Sequence, residues 1–540
     1  MKYTFAITGI LLLLLGNQTV GAQSRIPRLD ELDIQHYRFE LALDDTSNRI
    51  EGKAIIDIRF LKDKETFSLD LVKHNQTSNK GMVVKRVLVD STDTPFTHIG
   101  NLLWIKMRKA AKAEEHRSFI IYYEGVPEDG LIISTNKYGD RTFFGDNWPN
   151  RARHWLPCID HPSDKASVEF VVRAPNHYRV IANGELQSEE STEDYKRTHW
   201  KTEAPLPTKV MVIGVAKFAV QEAGVVHGIP VSSWVYPQNK EAGFKDYAPA
   251  VDVLDFFIKK IGPYPFEKLA NVQSTTRYGG MENASNIFYA EDKVTGQNEQ
   301  QALIAHEIAH QWFGNSASEN NWFHLWLSEG FATYLADLYC EKQFGRDSMV
   351  QRLISEREKV NAYASRRFKP VIDTTVRDYN QLLNPNSYQK GAWVLHMLRH
   401  RIGDKRFWKG IRKYYKQFQN ENAGTADFQK IMEKAGRKNL DTFFEQWLYE
   451  AGHPSIAVTW KPVRKKKVSV TVEQLQSNTV FEFPLEVAIK NDRKKNPVIR
   501  TVKVKDRKTE FILKAKGVAQ ELTLDPGCWL LYRGRLEKAN

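Results

Sequence analysis

The chain has 540 residues, of which 41% are hydrophobic and 11% aromatic, and this composition argues against a disordered protein. Its length predicts about three or four globular domains. The formal net charge is +13, but the basic residues are dispersed, and the short basic runs at 464–467 and 493–495 lie beside strand-like segments. Lysines on exposed strands commonly prevent edge-to-edge pairing, so these runs predict solvated surfaces and no nucleic-acid-binding site.

The N-terminus has the three-part plan of a secretory signal. Lys2 precedes an apolar run from Phe5 to Leu15, and Val20-Gly21-Ala22 provides the small residues of a cleavage site. The apolar run is too short to cross a bilayer of about 30 Å. We therefore expect cleavage after Ala22 and export to the periplasm or the extracellular space. No other run approaches transmembrane length, so we expect no transmembrane anchor in the mature chain.

The hydrophobic pattern divides the rest of the chain into three regions. Short alternating stretches such as 37–43 and 53–60 predict strands, whereas the spacing at 251–261 is helical, and helical segments dominate from about residue 300. After Gly452 the pattern returns to strands, about six of which predict a small β-sandwich. The predicted fold class is multidomain α+β, with a mostly helical domain between two β domains. The predicted ranges are 1–22 for the signal peptide, 23–221 for the N-terminal β domain, 222–452 for the mostly helical domain and 453–540 for the C-terminal β-sandwich.

The segment from His306 to Glu329 carries the most specific chemical signal. On an α-helix, His306 and His310 lie about 40° apart around the axis and about 6 Å apart along it, so both imidazoles can reach one ion. Glu307 completes the HExxH pattern of zinc metalloproteases, in which the glutamate is a base acting on water and not a ligand. Glu329, on a second predicted helix, supplies the third ligand and leaves one coordination position open.

A chance HExxH on an amphipathic helix is the alternative interpretation. Here the helix is apolar nearly all round, so Glu307 would be a buried carboxylate without compensation unless a cation or a polar site received it. A purely structural role therefore explains the segment poorly.

The residues HEIAHQWFGN at 306–315 and LWLSEGFATY at 325–334 resemble the gluzincin aminopeptidases of the M1 family, the group of aminopeptidase N and leukotriene A4 hydrolase. The resemblance covers nearly all of the mature chain. It implies a thermolysin-like catalytic domain and one Zn²⁺ ion per chain, held by His306, His310 and Glu329. It also implies that Glu307 is the general base and that the substrates are peptides with a free N-terminus. We expect a monomer or a weak oligomer.

The segment Gly279-Gly280-Met281-Glu282-Asn283 shortly precedes the HExxH motif. In isolation it would be a glycine-rich loop with an exposed glutamate. Gly279 and Gly280 permit close backbone approach, so a substrate could lie along the segment and form main-chain hydrogen bonds. Glu282 would then meet the α-ammonium group, and an internal peptide bond would leave it unpaired. The resemblance implies that this segment binds substrate and that Glu282 binds the amino terminus.

Two further positions have roles implied by the resemblance. Tyr388, within NSYQKGA at 386–392, matches the position whose phenol stabilises the oxyanion of the transition state. Asp146 is a candidate second contact for the α-amino group because of its position in the chain. The nearby Trp148 departs from the family pattern in that loop.

The support of the zinc ligands also departs from the family pattern. Many relatives have an acidic residue seven positions after the zinc glutamate, whereas this chain has Ala336 there, followed by Asp337. Hydrogen bonds to metal ligands tune zinc affinity considerably, so we expect this contact to come from another place.

The resulting hypothesis is an exported zinc aminopeptidase, and three alternatives are less consistent with the sequence. Epoxide hydrolysis, as in leukotriene A4 hydrolase, needs a lipid pocket formed partly by a C-terminal helical domain, which we expect this sequence to lack. A non-enzymatic peptide-binding protein should have lost a ligand or the base, and none is lost. Glu282 argues against an endopeptidase. The side chain preferred at the first residue of the substrate is not predicted by the sequence.

Overall fold

The structure is a computed structural model that describes residues 27–464 and 466–539. The predicted signal peptide, with its cleavage point at Ala22, lies outside the described residues. Within the described ranges, no helix combines the length and the apolar character needed to cross a bilayer.

The N-terminal region is all-β, as the alternating pattern predicted. Its strands are β1 (Leu32–Ala42), β2 (Ile50–Phe60), β3 (Lys64–Asp70), β4 (Gly81–Val89), β5 (Thr92–Asp93), β6 (Phe96–Ile99), β7 (Leu102–Ala111), β8 (His116–Val126), β9 (Leu131–Thr135), β10 (Arg141–Gly145), β11 (Lys165–Pro175), β12 (Arg179–Ala182), β13 (Glu185–Ser191), β14 (Tyr195–Pro207) and β15 (Ile213–Ala216). The largest sheet has the order β13-β14-β11-β1-β2-β8-β4-β5, and two smaller sheets have the orders β3-β7-β6 and β12-β15-β10-β9. Phe39 of β1 is buried and packs on Phe170 of the parallel neighbour β11, with ring centroids 5.6 Å apart.

The central region contains a mixed sheet whose last strand reaches the site described below. Its strands are β16 (Ala219–Val226), β17 (Ile229–Val235), β18 (Leu269–Ser274), β19 (Gly280–Met281) and β20 (Asn286–Ala290). They lie in the order β16-β17-β18-β20-β19, and the short edge strand β19 pairs antiparallel with β20. The boundary predicted between residues 221 and 222 falls inside β16, because strand structure continues to Val235. The positions of the domain boundaries stay predictions.

Helices form most of the rest of the central region. They are α1 (Lys240–Tyr247), α2 (Ala250–Lys260), α3 (Gln301–His310), α4 (Trp326–Phe344), α5 (Arg346–Ala364), α6 (Gly391–Ile402), α7 (Asp404–Phe418), α8 (Thr425–Gly436) and α9 (Asp441–Phe444), with a short parallel strand pair of β21 (Ser318–Glu319) and β22 (Asn422–Ala423). In α4, every residue from Trp326 to Cys340 is buried. Since this helix is enclosed on all sides, its polar residues need specific partners.

Two glycines allow α4 and α6 to cross at close range. A Cβ atom on Gly330 of α4 would lie 2.9 Å from the Cα of Gly391 in α6, and a Cβ on Gly391 would lie 3.0 Å from the Cα of Gly330. Any larger residue would overlap the opposite backbone. Because Glu329 lies on α4 and Tyr388 immediately precedes α6, this crossing brings the two side chains toward the same space.

The C-terminal region is built from two sheets, and with them the predicted fold class is confirmed. Its strands are β23 (Ser455–Arg464), β24 (Lys467–Gln474), β25 (Phe483–Asn491), β26 (Lys494–Val504), β27 (Lys508–Lys514), β28 (Ala519–Leu524) and β29 (Arg533–Lys538). The sheet orders are β27-β24-β23-β29 and β26-β25-β28. Strand β29 is not predicted by the sequence, because this mostly exposed edge strand is rich in charged residues and has no apolar alternation.

The C-terminal region also anchors two helices of the central region. The Arg357 guanidinium of α5 donates to the Leu530 carbonyl oxygen at 2.8 Å and pairs with Asp525 at 2.8 Å. On α6, His396 Nε2 lies 2.9 Å from the Cys528 carbonyl oxygen. These contacts hold the outer faces of α5 and α6, and the inner faces of both helices are therefore fixed as well.

The substitution Gly330→Ala tests the close crossing of α4 and α6. Alanine is the better helix former by about 1 kcal/mol, so at an exposed helical site the change would raise stability. At position 330 the added methyl group overlaps the backbone of Gly391, and we expect a net loss of about 1–3 kcal/mol. Denaturant unfolding followed by circular dichroism measures this change. Unchanged or higher stability would contradict the crossing.

Candidate functional site

Three side chains from two helices converge on one point. His306 and His310 lie four residues apart on α3, and Glu329 lies in the first turn of α4. The Nε2 atoms of the two histidines are 3.1 Å apart. Glu329 Oε2 lies 3.4 Å from His306 Nε2 and 3.3 Å from His310 Nε2. The three atoms form a nearly equilateral triangle.

The triangle has the size of one face of a tetrahedral zinc site. Bonds of about 2.0–2.1 Å from zinc to nitrogen and oxygen place neighbouring ligand atoms about 3.3–3.4 Å apart in a tetrahedron. The three measured edges are close to this spacing. In addition, Glu329 Oε2 is buried and has no hydrogen-bond partner among the described residues. A cation bound to the triangle would supply that partner, so the residues present fit one metal ion with a fourth position left open.

The second ring nitrogen of His310 supports the same arrangement. His310 Nδ1 lies 3.2 Å from the Phe313 carbonyl oxygen and 3.0 Å from Ser328 Oγ. A proton on Nδ1 donates to these oxygens and leaves the lone pair of Nε2 directed at the metal position. Gly314 provides the space, because a Cβ at this position would lie 2.2 Å from Ser328 Oγ.

The acidic residue of α4 that follows Ala336 has a different role. Asp337 is fully buried and accepts a hydrogen bond of 2.5 Å from Arg352 Nε on α5. This oxygen of the carboxylate therefore pairs with α5. The sequence predicts that the contact supporting a zinc ligand comes from a residue other than Ala336. In the structure, Ser328 and the Phe313 carbonyl contact His310 in this way.

The ionisable groups of the site perturb one another strongly. Burial, reinforced by Glu282 and Glu329, raises the pKa of Glu307 well above its usual range, although His310 opposes this shift. Burial lowers the pKa of His306. Burial would also lower the pKa of His310, but Glu329 outweighs it and raises that pKa to about 9. Several carboxyl groups close to two imidazoles make a site that a divalent cation would neutralise.

Tyr388 lies in a π-helical turn, Asn386–Lys390, directly before α6. Its ring stacks on the imidazole of His306, with centroids 6.0 Å apart and an angle of 10° between the planes. Burial, with Glu329 and Glu282 nearby, raises the pKa of Tyr388 well above its usual range. The phenol therefore keeps its proton and is available as a hydrogen-bond donor beside the metal position.

Strand β19 passes directly over α3. A Cβ on Gly280 would lie 2.3 Å from Glu307 Oε1, so only glycine allows this approach. The side chains of Gln311 and Asn315 donate to the carbonyl oxygen of Glu282, at 2.9 Å and 2.6 Å, and fix the end of the strand against the end of α3. The backbone next to β19 is therefore held rigidly above the catalytic candidates.

The carboxylate of Glu282 points toward the same centre. One of its oxygens lies within 4.8 Å of ligand-type atoms of both Glu307 and His310. The side chain is buried, and its Oε1 atom has no hydrogen-bond partner in the described part of the chain. Burying a carboxylate without a partner is costly, so this group is built to receive a cationic ligand.

A cavity of about 400 Å³ opens onto these side chains. Its wall includes the three candidate metal ligands, Glu307, Tyr388, and the segment from Gly279 to Glu282. The wall also includes Trp148, Tyr278, Leu303, Thr333, Ala336, Arg352, Glu356 and Lys359. The structure thus brings together nine of the predicted site residues around one cavity.

Two predicted residues do not reach this cavity. Asp146 is buried, and its carboxylate pairs with the Arg151 guanidinium at 2.5 Å. Because Arg151 already neutralises the Asp146 carboxylate, this position does not support the predicted role in binding an amino group. Trp148, two residues later in the same loop, lines the cavity instead. Asn283 is buried behind the end of β19.

Comparison with known proteins follows the same division of the chain. Residues 34–210 match the Peptidase M1 N-terminal domain, and residues 247–447 match the Peptidase family M1 domain. Together these matches cover more than half of the chain. The chain belongs to peptidase family M1. Membership in this family implies one catalytic zinc ion, and the His306, His310 and Glu329 triangle is the group that fits it.

The relatives within this family share part of the chain. Glutamyl aminopeptidase of Bos taurus is 30% identical over 366 residues, which are 64% of this chain and 38% of that protein. Leucyl aminopeptidase of Saccharolobus solfataricus is 25% identical over 484 residues, which are 84% of this chain and 58% of that protein. This chain therefore spans less than two thirds of the length of either protein. The crystal structure of a mutant M1 zinc metallopeptidase from Deinococcus radiodurans has a similar fold, with a TM-score of 0.67 and 22% sequence identity. The match covers 77% of this chain and 94% of that chain.

The sequence does not predict a role for Ser328 or for the cavity residues of α5. Ser328 stands next to a ligand but carries no sequence signal of its own. Arg352, Glu356 and Lys359 recur at positions that share one helix face, but the same spacing is common on solvated faces. Only the packing of α5 against α4 shows that this face borders the cavity.

The substitution Glu329→Gln tests the metal centre by metal content. The neutral amide is a poor zinc ligand, so we expect the affinity for zinc to fall by roughly 100-fold or more. Metal analysis by mass spectrometry after dialysis measures the number of zinc ions per chain. Glu358→Gln, an exposed change of the same kind on α5, should keep one zinc per chain. Full zinc retention in Glu329→Gln would remove this residue from the metal centre.

Proposed function

We propose that the protein is a zinc-dependent aminopeptidase that hydrolyses the first peptide bond of peptides with a free N-terminus. The observation that carries this proposal is the buried, unpartnered carboxylate of Glu282, close to Glu307 and His310 in the same cavity. A substrate ammonium group would pair with that carboxylate. The first peptide bond would then lie next to the metal ligands, since consecutive Cα atoms are only about 3.8 Å apart.

The chain's own residues provide the proton transfers of this reaction. A bound zinc ion polarises a carbonyl group and makes a water molecule more acidic. Glu307 accepts the proton of the attacking water, whose oxygen adds to the carbonyl carbon. Glu307 then gives that proton to the leaving nitrogen as the carbon–nitrogen bond breaks.

Tyr388 and the β19 backbone provide orientation. As the carbonyl oxygen gains negative charge, the Tyr388 hydroxyl donates a hydrogen bond to it. Main-chain groups along Gly279 and Gly280 are free of side chains and can pair with an extended peptide. Both contacts position the bond to be cleaved beside Glu307.

We also propose that the protein is exported after cleavage near Ala22. Support comes from the sequence: Lys2, the apolar run from Phe5 to Leu15, and the small residues that end at Ala22.

A pair of chromogenic aminoacyl substrates tests the role assigned to Glu282. We expect turnover of the substrate with a free amino group and none of its N-acetylated form, because the acetylated nitrogen has no positive charge for Glu282. A zinc chelator should abolish this turnover, and Glu307→Gln should lower kcat by about 10²–10⁴-fold. Glu282→Gln should lower kcat/KM for the free amine by about 10²-fold.

Controls separate this result from general damage. Glu358→Gln, on the exposed face of α5, should keep wild-type rates. Comparable cleavage of the acetylated and free substrates would remove Glu282 from its assigned role and would favour an endopeptidase.

The substitution Tyr388→Phe tests the oxyanion contact. Loss of the hydroxyl should lower kcat by about 10²-fold, with a small change in KM, because this hydrogen bond strengthens as the transition state forms. Zinc content should stay at the wild-type level, since Tyr388 is not among the predicted ligands. Tyr363→Phe on α5 is the matched control. An unchanged kcat in Tyr388→Phe would contradict the role.

A further inference from the structure

The cavity has two ends, which follow from the order of residues along α3. Glu282 lies beside His310 and Glu307. Toward the start of α3 the wall continues through His306 to Leu303. Leu303 lies seven residues before His310, or about 10 Å along the helix axis. One end of the cavity therefore contains Glu282, and the other end lies beyond the metal ligands.

Helices α4 and α5 form the wall at this second end. α4 begins beside His310, where Ser328 contacts its Nδ1 atom, and runs away from it. Thr333 and Ala336 follow Glu329 by four and seven residues, so they lie on the same face, one and two turns further along. On α5, Arg352, Glu356 and Lys359 share the same spacing and line the cavity.

The side chains at this second end of the cavity have a net positive charge. Arg352 Nε donates to Asp337, but its Nη1 and Nη2 atoms have no hydrogen-bond partner among the described residues. Burial, reinforced by Asp337, raises the pKa of Glu356 well above its usual range, so this carboxyl favours its neutral form. Lys359 has no carboxylate within 4 Å in the described ranges, so it adds a positive charge that no ion pair neutralises.

The buried carboxyl beside these cations does not offset their charge. Glu356 is only 5% exposed, and its neutral form donates a hydrogen bond to the Asp337 carboxylate. It therefore adds no negative charge to this end of the cavity. Arg352 and Lys359 on either side supply donors with positive charge.

From this arrangement we propose that Arg352 and Lys359 bind a carboxylate on the residue that follows the cleaved bond. The inference rests on the proposed aminopeptidase function and names the substrates that the enzyme would favour. A peptide whose amino group meets Glu282 places its second residue beyond the metal ligands, at the cationic end. The carboxylate is either the side chain of an acidic second residue or the free C-terminus of a dipeptide.

The first residue of the substrate meets a different surface. Met281 adjoins Glu282 in the chain, the Glu282 carboxylate acts on Tyr278, and the Trp148 ring packs on Tyr278 with centroids 6.3 Å apart. All three residues line the cavity. The cationic wall residues Arg352 and Lys359 both stand at the other end. Acidic specificity in this protein therefore concerns the second residue, and the first residue meets aromatic and apolar side chains.

Matched peptides with a constant first leucine test the inference. The side-chain arm compares Leu-Glu-amide with Leu-Gln-amide, and the terminal arm compares Leu-Leu with Leu-Leu-amide. Release of leucine gives kcat/KM for each peptide. We expect the carboxylate form to be favoured by about fivefold in one or both arms, the size typical of a partly exposed ion pair. The arm that shows the effect identifies the source of the carboxylate.

Variants of Lys359 decide whether the cationic end causes this preference. Lys359→Met should lower the ratio in that arm, although Arg352 remains, and Lys359→Glu should bring it to one or below. Lys416→Met removes the same charge from the exposed face of α7 and should leave the ratio unchanged. Lys359 is exposed, so thermal unfolding of its variants should match that of the wild type.

Three results would count against the inference. Equal rates in both arms for the wild-type protein would overturn it, and so would a preference that persists in Lys359→Glu. If the chromogenic free-amine substrates are cleaved while the kcat/KM ratio of carboxylate to neutral peptide equals one in both arms, the inference about Arg352 and Lys359 fails. The proposed aminopeptidase function would still stand. If no free-amine substrate is cleaved, the proposed aminopeptidase function fails, and this inference fails with it.

Discussion

The site depends on the burial of carboxylates next to two imidazoles. Glu307 and Glu329 lie on enclosed helices, where an uncompensated negative charge is costly. The triangle formed by Glu329 with His306 and His310 concentrates ligand atoms at the spacing of a tetrahedral metal site. A divalent cation at that point satisfies the ligands and offsets the charge of the carboxylates around it. The architecture of the central region can be understood as the means of holding this triangle.

Each of the three regions of the chain contributes to the geometry of the site. The glycine crossing of α4 and α6 sets the distance between the ligand helix and the turn that carries Tyr388. The C-terminal β-sandwich holds the outer faces of α5 and α6 through Arg357 and His396. The N-terminal β region contributes Trp148 to the cavity wall. The site is therefore assembled from all three regions, although its chemistry is concentrated in α3 and α4.

The cavity also has a direction. Glu282 provides a buried negative group at one end, whereas the positive side chains of the wall, Arg352 and Lys359, stand at the other. A zwitterionic dipeptide or a peptide with an acidic second residue matches this polarity from end to end. The same polarity opposes a peptide that enters in the reverse direction, because its carboxylate would face Glu282 and its ammonium group the cations. Directional binding of this kind gives specificity through repulsion as well as attraction.

The sequence by itself determined the metal centre and the fold class. The two histidines at helical spacing, with a glutamate between them, form a local pattern. Helix geometry alone places both imidazoles within reach of one metal ion. Alternation and helical periodicity likewise fixed the order of β, helical and β regions, because both patterns arise from burial of one face. The charged edge strand β29 is not predicted because neither of its faces is buried, so its sequence has no hydrophobic alternation.

Tertiary structure decided the contacts between distant segments. Asp146 was a candidate until its pairing with Arg151 removed its charge from the cavity. Ser328 gained a role from its contact with His310, and the charged face of α5 gained one because it packs beside α4. Sequence spacing specifies what lies on one face of a helix. Which surface that face meets depends on how whole elements pack, and no local pattern encodes it.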